Sequence, residues 1–309
     1  MCDRTLSVVI ATYGQAPHLC NVLQALADQT CKCFDVVVVD NNEYPRAQPT
    51  CELFAPLVAF MHCPHRGLSA ARNAGIAATH GEYIAFLDDD SVPEPTWAAE
   101  LQVGLRRYGC AAAGGRVELA PDRSLPAWYP ERLRSLLSEL RYDAVDIPAI
   151  TDLQYVVGAN FCVARRSIEA VGGFRLDLGR YGSCLRSSEE VELCKRIMKS
   201  GGRVAFLAAP VVWHHIPRQR FTLSYIVRRS IWQGRSDARL EVLHGRPAAL
   251  GDRSDLRNML AFAYRTLLLC TDRSGAVLAA ANAARQYGYL IEYVKIWSGA
   301  RAGESLTRR

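Results

Sequence analysis

The sequence predicts an α/β fold: a mostly parallel sheet with helices on both faces, followed by a helical C-terminal extension. Three observations predict it. Short, β-branched apolar runs recur through the first two-thirds of the chain, and the stretches between them carry apolar residues at helical spacing. The first strand, helix and strand fit within about 35 residues, the length of a βαβ unit, which builds parallel sheets. Beyond about residue 220 only helix-period patterns remain.

Residues 6–11 form the first strand, which Thr12-Tyr13-Gly14 breaks. Pro17 opens a helix on which Leu19, Val22, Leu23 and Leu26 share a face. Residues 34–39 form a second apolar strand closing on Asp40-Asn41-Asn42. In open sheets of this kind ligands gather at the C-terminal strand ends. Thr12, Tyr13 and Asp40 therefore belong on one edge. A loop containing Pro45 and Pro49 leads to a strand over 58–62. Ser69 can then cap a small-residue helix over 70–79. Arg66 and Arg72 stand near its start, where the helix dipole also favours anions; surface solvation is the plain alternative.

Residues 83–87 form a buried strand between a Gly-Glu turn and two prolines, and it ends in Asp88, Asp89 and Asp90. Three like charges at a strand end destabilise the fold unless a cation or basic group neutralises them. Oxygen-only ligands suit hard cations such as Mg2+ or Mn2+, which usually bridge a protein carboxylate to a substrate phosphate. A solvated acidic turn is the other reading.

A helix over 97–108 and a small-residue strand over 111–117 follow. Gly114-Gly115 in that strand permits close approach of a ligand or marks a bulge. Residues 118–150, with Pro121, Pro126, Pro130 and Pro148 around a helix-like 131–141, read as an inserted, substrate-shaping excursion. A strand over 155–164, a short helix over 166–171 and a Gly172-Gly173-Phe174 stop come next. The Gly- and Arg-rich loop 178–188 leads into a helix beginning Glu189-Glu190, which Ser187 or Ser188 can cap. Acids are also ordinary at a helix start. Residues 203–207 and 211–213 make a last pair of strands ending on His214-His215. Helices with basic faces follow from Phe221, clearest over 254–270 and 274–298.

With 309 residues, 50% hydrophobic and 22% charged, the chain has the composition of a globular protein with a sizeable core. No stretch reaches the roughly 18 uninterrupted apolar residues of a membrane span. The opening residues run straight into a strand, so no secretory signal is expected. Eleven cysteines are scattered; Cys31 and Cys33 lie close but lack a second pair at zinc-site spacing. Cys20, Cys162 and Cys270 read as small buried hydrophobes, and a reducing cytoplasm is the expected location. The net charge of +6 is uneven: from Arg218 on there are 16 Lys/Arg against 7 Asp/Glu, and before it 21 against 24. A basic tail suits an anionic surface, such as a membrane leaflet, a lipid-linked acceptor or a polyphosphate, or is a solvated helical face. Nucleic acid is not an expected partner.

Five motifs stand in order: Ser7-Val8-Val9-Ile10-Ala11-Thr12-Tyr13, Val38-Val39-Asp40-Asn41-Asn42, Gly67-Leu68-Ser69-Ala70-Ala71-Arg72-Asn73, Phe86-Leu87-Asp88-Asp89-Asp90 and Gly172-Gly173-Phe174. In that order they resemble the family-2 glycosyltransferases of the GT-A fold, over about residues 5–215. The resemblance implies a GT-A domain over 1–220, its nucleotide-sugar half about 1–117 and its acceptor half about 118–220, before a basic helical extension over 221–309. It implies a nucleotide-sugar donor, UDP-linked before others, with Mn2+ or Mg2+. By the same match Thr12, Tyr13 and Asp40 surround the base and ribose, and Arg72 lies near the diphosphate. Asp88 and Asp90 are the outer acids of an Asp-x-Asp motif. Asp90 is then the metal ligand, Asp88 faces ribose or metal, and Asp89 is a spacer between them or a contact on the nucleotide-sugar. His214 or His215 is an additional metal or phosphate contact, with a core or capping role open for one of them.

The chemistry agrees. Breaking a sugar–phosphate bond leaves a nucleoside diphosphate whose growing charge needs a cation and basic side chains. The acceptor hydroxyl, on a saccharide, a lipid-linked or a small molecule, needs a carboxylate to take its proton. Glu190 is the candidate, or failing it Glu189. Glu190 replaces the Asp usual in the family, so its reach is longer by one methylene. The family's usual outcome is inversion. Arg228-Arg229 and Trp232-Gln233-Gly234 stand in the wrong order for the Gln-x-x-Arg-Trp motif of processive members, so single addition is expected in the cytoplasm or peripherally at its membrane face.

Competing readings are a haloacid-dehalogenase-like phosphatase, whose Asp-x-Asp-x-Thr/Val pattern Asp88 to Val92 satisfies with Asp88 as nucleophile, and a non-catalytic nucleotide-binding partner subunit. The phosphatase motif normally follows a first strand, and three strands precede it here. A dinucleotide-binding dehydrogenase lacks its Gly-x-Gly-x-x-Gly after the first strand.

Overall fold

Strand β1 (Leu6–Thr12) is almost wholly buried, as is β2 (Phe34–Asp40), because parallel strands covered on both faces need continuous apolar runs. The computed structural model describes residues 5–121, 124–245 and 272–306. Its further strands are β3 (Val58–His62), β4 (Tyr83–Asp88), β5 (Ser91–Pro93), β6 (Ala112–Leu119), β7 (Asn160–Ala164) and β8 (Val204–His214). They form one sheet in the order β3-β2-β1-β4-β7-β6-β8-β5. Strands β3, β2, β1 and β4 are mutually parallel, as are β6 and β8; β7 and β5 pair antiparallel with their neighbours. The sheet is therefore mixed. Its register aligns Thr12 with Asp40 and Ala11 with Asp88, which brings the ends of β1, β2 and β4 to one edge.

The helices of this part are α1 (Leu19–Ala27), α2 (Gln48–Glu52), α3 (Leu68–Ala78), α4 (Trp97–Tyr108), α5 (Arg165–Val171) and α6 (Glu189–Lys199). Helix α1 buries the four apolar residues expected of it, but starts at Leu19, beyond Pro17. Ser69 is not the cap of α3: the helix begins one residue before it, after Gly67 at φ 125°, and the Ser69 hydroxyl donates to the Leu178 carbonyl (2.9 Å). Pro49 does not keep its segment in loop form, since it stands in the first turn of α2 where its missing N–H is harmless.

The last two expected strands are one, β8. Leu207 pairs with Gly115 and Val211 with Arg116, so residues 208–210 bulge out of the ladder and Pro210 needs no donor there. The 155–164 strand is shorter than expected, starting at Asn160, although Val156 and Val157 remain buried. The helix-like 131–141 is a 3-10 turn over Glu131–Leu137.

Residue contacts group Met1–Arg123, Ser138–Gly182 and Glu189–Ile216 into one unit, and Ser124–Leu137, Ser183–Ser188 and Pro217–Arg309 into another. The second unit is built on α7 (Leu223–Leu243) and α8 (Arg273–Leu306). Thr222 caps α7 by accepting from the Tyr225 N–H (3.3 Å). The two helices meet backbone to backbone. A Cβ on Gly234 would lie 1.7 Å from the Arg285 carbonyl, and one on Gly288 1.9 Å from that of Ile231. The expected helix over 254–270 falls outside the described residues. Among those described, no helix is long and apolar enough to cross a membrane. Among the described residues eight cysteines are free thiols, with Cys20 exposed and not buried as expected, and Cys33 is disulfide-bonded.

Candidate active site

The aligned strand ends bring the acidic residues together. Asp40 is fully buried. Its Oδ1 accepts from the N–H (2.9 Å) and Nδ2 (2.8 Å) of Asn42, and its Oδ2 from the N–H groups of Arg46 (2.6 Å) and Ala47 (2.8 Å). Burial raises its pKa, but these bonds outweigh that and hold the carboxyl below its ordinary value. Asp40 thus shapes the loop after β2. Its neighbours extend that role. Asn41 donates to the carbonyls of Cys63 (2.9 Å) and His65 (2.8 Å) and accepts from the Gly67 N–H (2.7 Å); Asn42 Oδ1 accepts from the Gly14 N–H (2.8 Å). Tyr13 stands 55% exposed on the same edge.

Thr12 is buried and donates its hydroxyl proton to Asp89 Oδ2 (2.6 Å). Burial, and then the Asp90 charge, push Asp89 up to about 7 against the lowering effect of that bond. Asp89 is therefore more than a spacer. Asp88 and Asp90 flank it with partly exposed carboxylates. Because β5 runs antiparallel to β8 with Ser91 opposite His214, the buried His214 ring arrives beside Asp90, Nε2 to Oδ1 3.2 Å. One ligand atom each from Asp88, Asp90 and His214 lie within 4.8 Å of one another. Two carboxylates and an imidazole are a donor set that fits Mn2+ or Mg2+. His215 has no place in that trio. Its N–H donates to the Asp90 carbonyl (2.8 Å) and its ring stacks on His18, centroids 4.5 Å apart.

Arg72, on α3, is 2% exposed, and a buried guanidinium must be paired. It donates to Glu189 Oε1 (2.7 Å), Asp88 Oδ1 (3.1 Å) and the Gly158 carbonyl (3.3 Å), with the rings of Phe86 and Phe174 5.9 and 5.4 Å from it. Burial opposes its charge, but Glu189, Asp88 and Glu190 more than reverse that. Helix α6 delivers both glutamates. Glu189 Oε1 is committed to Arg72, whereas Glu190 Oε1 only accepts from the Gly158 N–H (3.3 Å); the buried Oε2 of each has no hydrogen-bond partner among the described residues. Burial and the Glu189 charge push Glu190 up to about 8, with Arg72 and the Gly158 N–H opposing them.

One connected set therefore holds Thr12, Arg72, Asp88, Asp89, Asp90, Glu189, Glu190 and His214. Asp40 is occupied within its own loop, and the His215 ring stacks on His18. Sequence reasoning gave no role to Gly158, Asn42 or His18. The paired Asn41-Asn42 directly after a strand was a readable signal; Gly158 and His18 had none.

The model of glycosyl transferase family 2 matches residues 7–172, more than half of the chain. The succinoglycan biosynthesis protein ExoM of Rhizobium meliloti is 27% identical over 252 residues, 78% of this chain and 77% of that protein. The glucosyl-dolichyl phosphate glucuronosyltransferase of Haloferax volcanii is 27% identical over 270 residues, 84% of each chain. Among solved structures, the mannosyltransferase PcManGT from Pyrobaculum calidifontis, in complex with GDP-Man and Mn2+, shares the fold with a TM-score of 0.59 at 16% identity. It covers 94% of this chain, which covers 89% of it.

Proposed function

The chain belongs to glycosyl transferase family 2 and is a glycosyltransferase that draws on a nucleotide-sugar. On that premise we propose that it moves the sugar of a nucleoside-diphosphate donor, UDP-linked before others, onto an acceptor hydroxyl with inversion and with the help of Mn2+ or Mg2+. The observation that carries this reading is the gathering of Asp88, Asp90 and His214 beside Arg72. The phosphatase reading needs its Asp-x-Asp after a first strand, and here it follows the fourth.

Asp88, Asp90 and His214 would hold the cation; bound there, it supplies positive charge for the departing diphosphate. Thr12 holds Asp89, and Tyr13 offers an open ring to the base at the same strand edge. Glu190 takes the proton of the acceptor hydroxyl. Attack from the face opposite the leaving group inverts the anomeric carbon. Arg72 keeps Asp88 and Glu189 in place and, together with the Gly158 N–H, favours the ionised form of Glu190 that a base needs. The acceptor is a saccharide, a lipid-linked or a small-molecule hydroxyl. The basic chain beyond Arg218 meets an anionic membrane at its cytoplasmic face.

Calorimetry with UDP tests this reading. The wild type should bind UDP more tightly with Mn2+ than with EDTA, and Asp90→Ala should lose that gain, about tenfold or more for a lost charged ligand. Equal binding by the two proteins would remove the metal assignment. Nucleotide binding without turnover on any sugar donor would leave a non-catalytic partner subunit.

A further inference from the structure

Helix α8 packs one side against α7, and over residues 287–297 it also leaves a side open to solvent, although nearer its start Ala279 is buried. Val277, Ala281, Ala284, Gly288 and Glu292 recur every three or four positions and are buried. A flanking side carries Tyr287, Ile291, Val294 and Trp297 at the same kind of spacing, 58%, 38%, 57% and 49% exposed. Four large apolar side chains thus make one stripe roughly 15 Å long. Surface helices normally present charged and polar residues there, and an exposed apolar patch marks an interaction site.

The charge around the stripe selects the partner. Between residues 273 and 298 the single acid of α8 is Glu292, which is fully buried and paired with Arg235 (2.7 Å) and Arg239 (2.9 Å). Arg273, Arg285 and Lys295 are exposed on the same helix. Asp237 neutralises Arg285, and Lys295 directly follows Val294 in the stripe. With 16 Lys/Arg against 7 Asp/Glu from Arg218 on, a second copy of the chain would bring like charges together. An anionic lipid headgroup layer is complementary. Tyrosine and tryptophan settle at headgroup depth, isoleucine and valine enter the acyl boundary, and a lysine beside them reaches back to phosphate. Helix α7 adds an open hollow of about 600 Å3, lined by Leu223, Val227, Ile231 and Trp232 together with Arg228 and Arg235.

We infer that the Tyr287–Ile291–Val294–Trp297 face of α8 is the surface with which the chain lies on an anionic bilayer. This rests on the membrane contact proposed above and assigns it to particular residues. It predicts that apolar burial and headgroup attraction act together, so binding weakens with salt without vanishing.

The test is co-sedimentation of the full chain with vesicles of phosphatidylcholine alone or mixed with phosphatidylglycerol. The wild type should bind the anionic vesicles about tenfold or more tightly than the neutral ones at low salt. The double variant Ile291→Asp/Val294→Asp should lose about tenfold or more of that binding. Trp297→Ser and Lys295→Glu should each lose several-fold, with far-UV circular dichroism and UDP binding unchanged. Wild-type sedimentation by all these variants would overturn the face while leaving the membrane contact standing. A wild type that ignores anionic vesicles would overturn both. A dimer in sedimentation velocity that the stripe variants break would give the face to a second copy and overturn the lipid assignment.

Discussion

The division of labour between two adjacent glutamates turns on partners. Each leaves its Oε2 without a hydrogen-bond partner among the described residues, but Glu189 gives its Oε1 to the Arg72 guanidinium, while the Oε1 of Glu190 meets only a backbone N–H. A base must be within reach of its proton and free of stronger partners, so the proposed role is given to Glu190. Glu190→Gln should leave Mn2+-dependent UDP affinity within about twofold and reduce transfer by about 10²- to 10⁴-fold, read by steady-state turnover. Wild-type turnover would move the role to Glu189. The direction of the pH dependence follows from Glu190 lying at about 8 in the free protein. Its base form grows as pH rises, so kcat/KM should climb with a slope near one and level above about pH 8. A profile flat from pH 6 to 9 would count against Glu190.

Elements differ in how far the sequence announces them. Strands β1 to β4 and helix α4 lie close to where their apolar periods predict, because each is covered by one continuous core and its pattern is local. Strand β5 escaped notice because three residues ending in proline hold no period. The joining of β8 across Pro210 depends on a bulge set by its partner strand, and Ser69 finds its acceptor 109 residues away. The site follows the same division. The acid triplet is local and legible, whereas the Arg72–Glu189 pair spans 117 residues. The place of His214 beside Asp90 needed the pairing of β8 with β5, which sets Ser91 opposite it. The α7–α8 pair makes a claim at this scale. Gly234→Ala sets a methyl against the Arg285 carbonyl, which only backbone movement can relieve. The expected cost is about 1–3 kcal/mol, and Gly288→Ala should cost about as much, with the double variant less than additive because both relieve one crossing. Thermal melts followed at 222 nm measure this; two unchanged midpoints would mean that the helices do not touch there.

For the molecule as a whole, the acid-rich site links stability to pH and to metal. Asp89 and Glu190 are held near 7 and 8, above the ordinary carboxyl values of 3.8 and 4.5 that the unfolded chain approaches. Between those limits the folded state binds more protons than the unfolded one, so the metal-free protein loses stability as pH rises from about 4 to about 8. Asp40 and Glu292, held below their ordinary values, act in the opposite direction, and only as pH falls below about 4. Stability in EDTA should therefore peak at about pH 4, where these two windows meet. A divalent cation at the proposed Asp88, Asp90 and His214 site would offset the Asp90 charge that, after burial, raises Asp89, so its binding should release protons and strengthen with pH. At about 100 times its dissociation constant a ligand adds about 2.7 kcal/mol, a shift of several degrees for a protein of this size. Mn2+ should thus raise the melting temperature more at pH 8 than at pH 6, and Asp90→Ala should abolish the increment at both. A melting temperature in EDTA that stays level from pH 5 to 8 would break the link to the buried carboxylates. An increment surviving in Asp90→Ala would place the cation elsewhere.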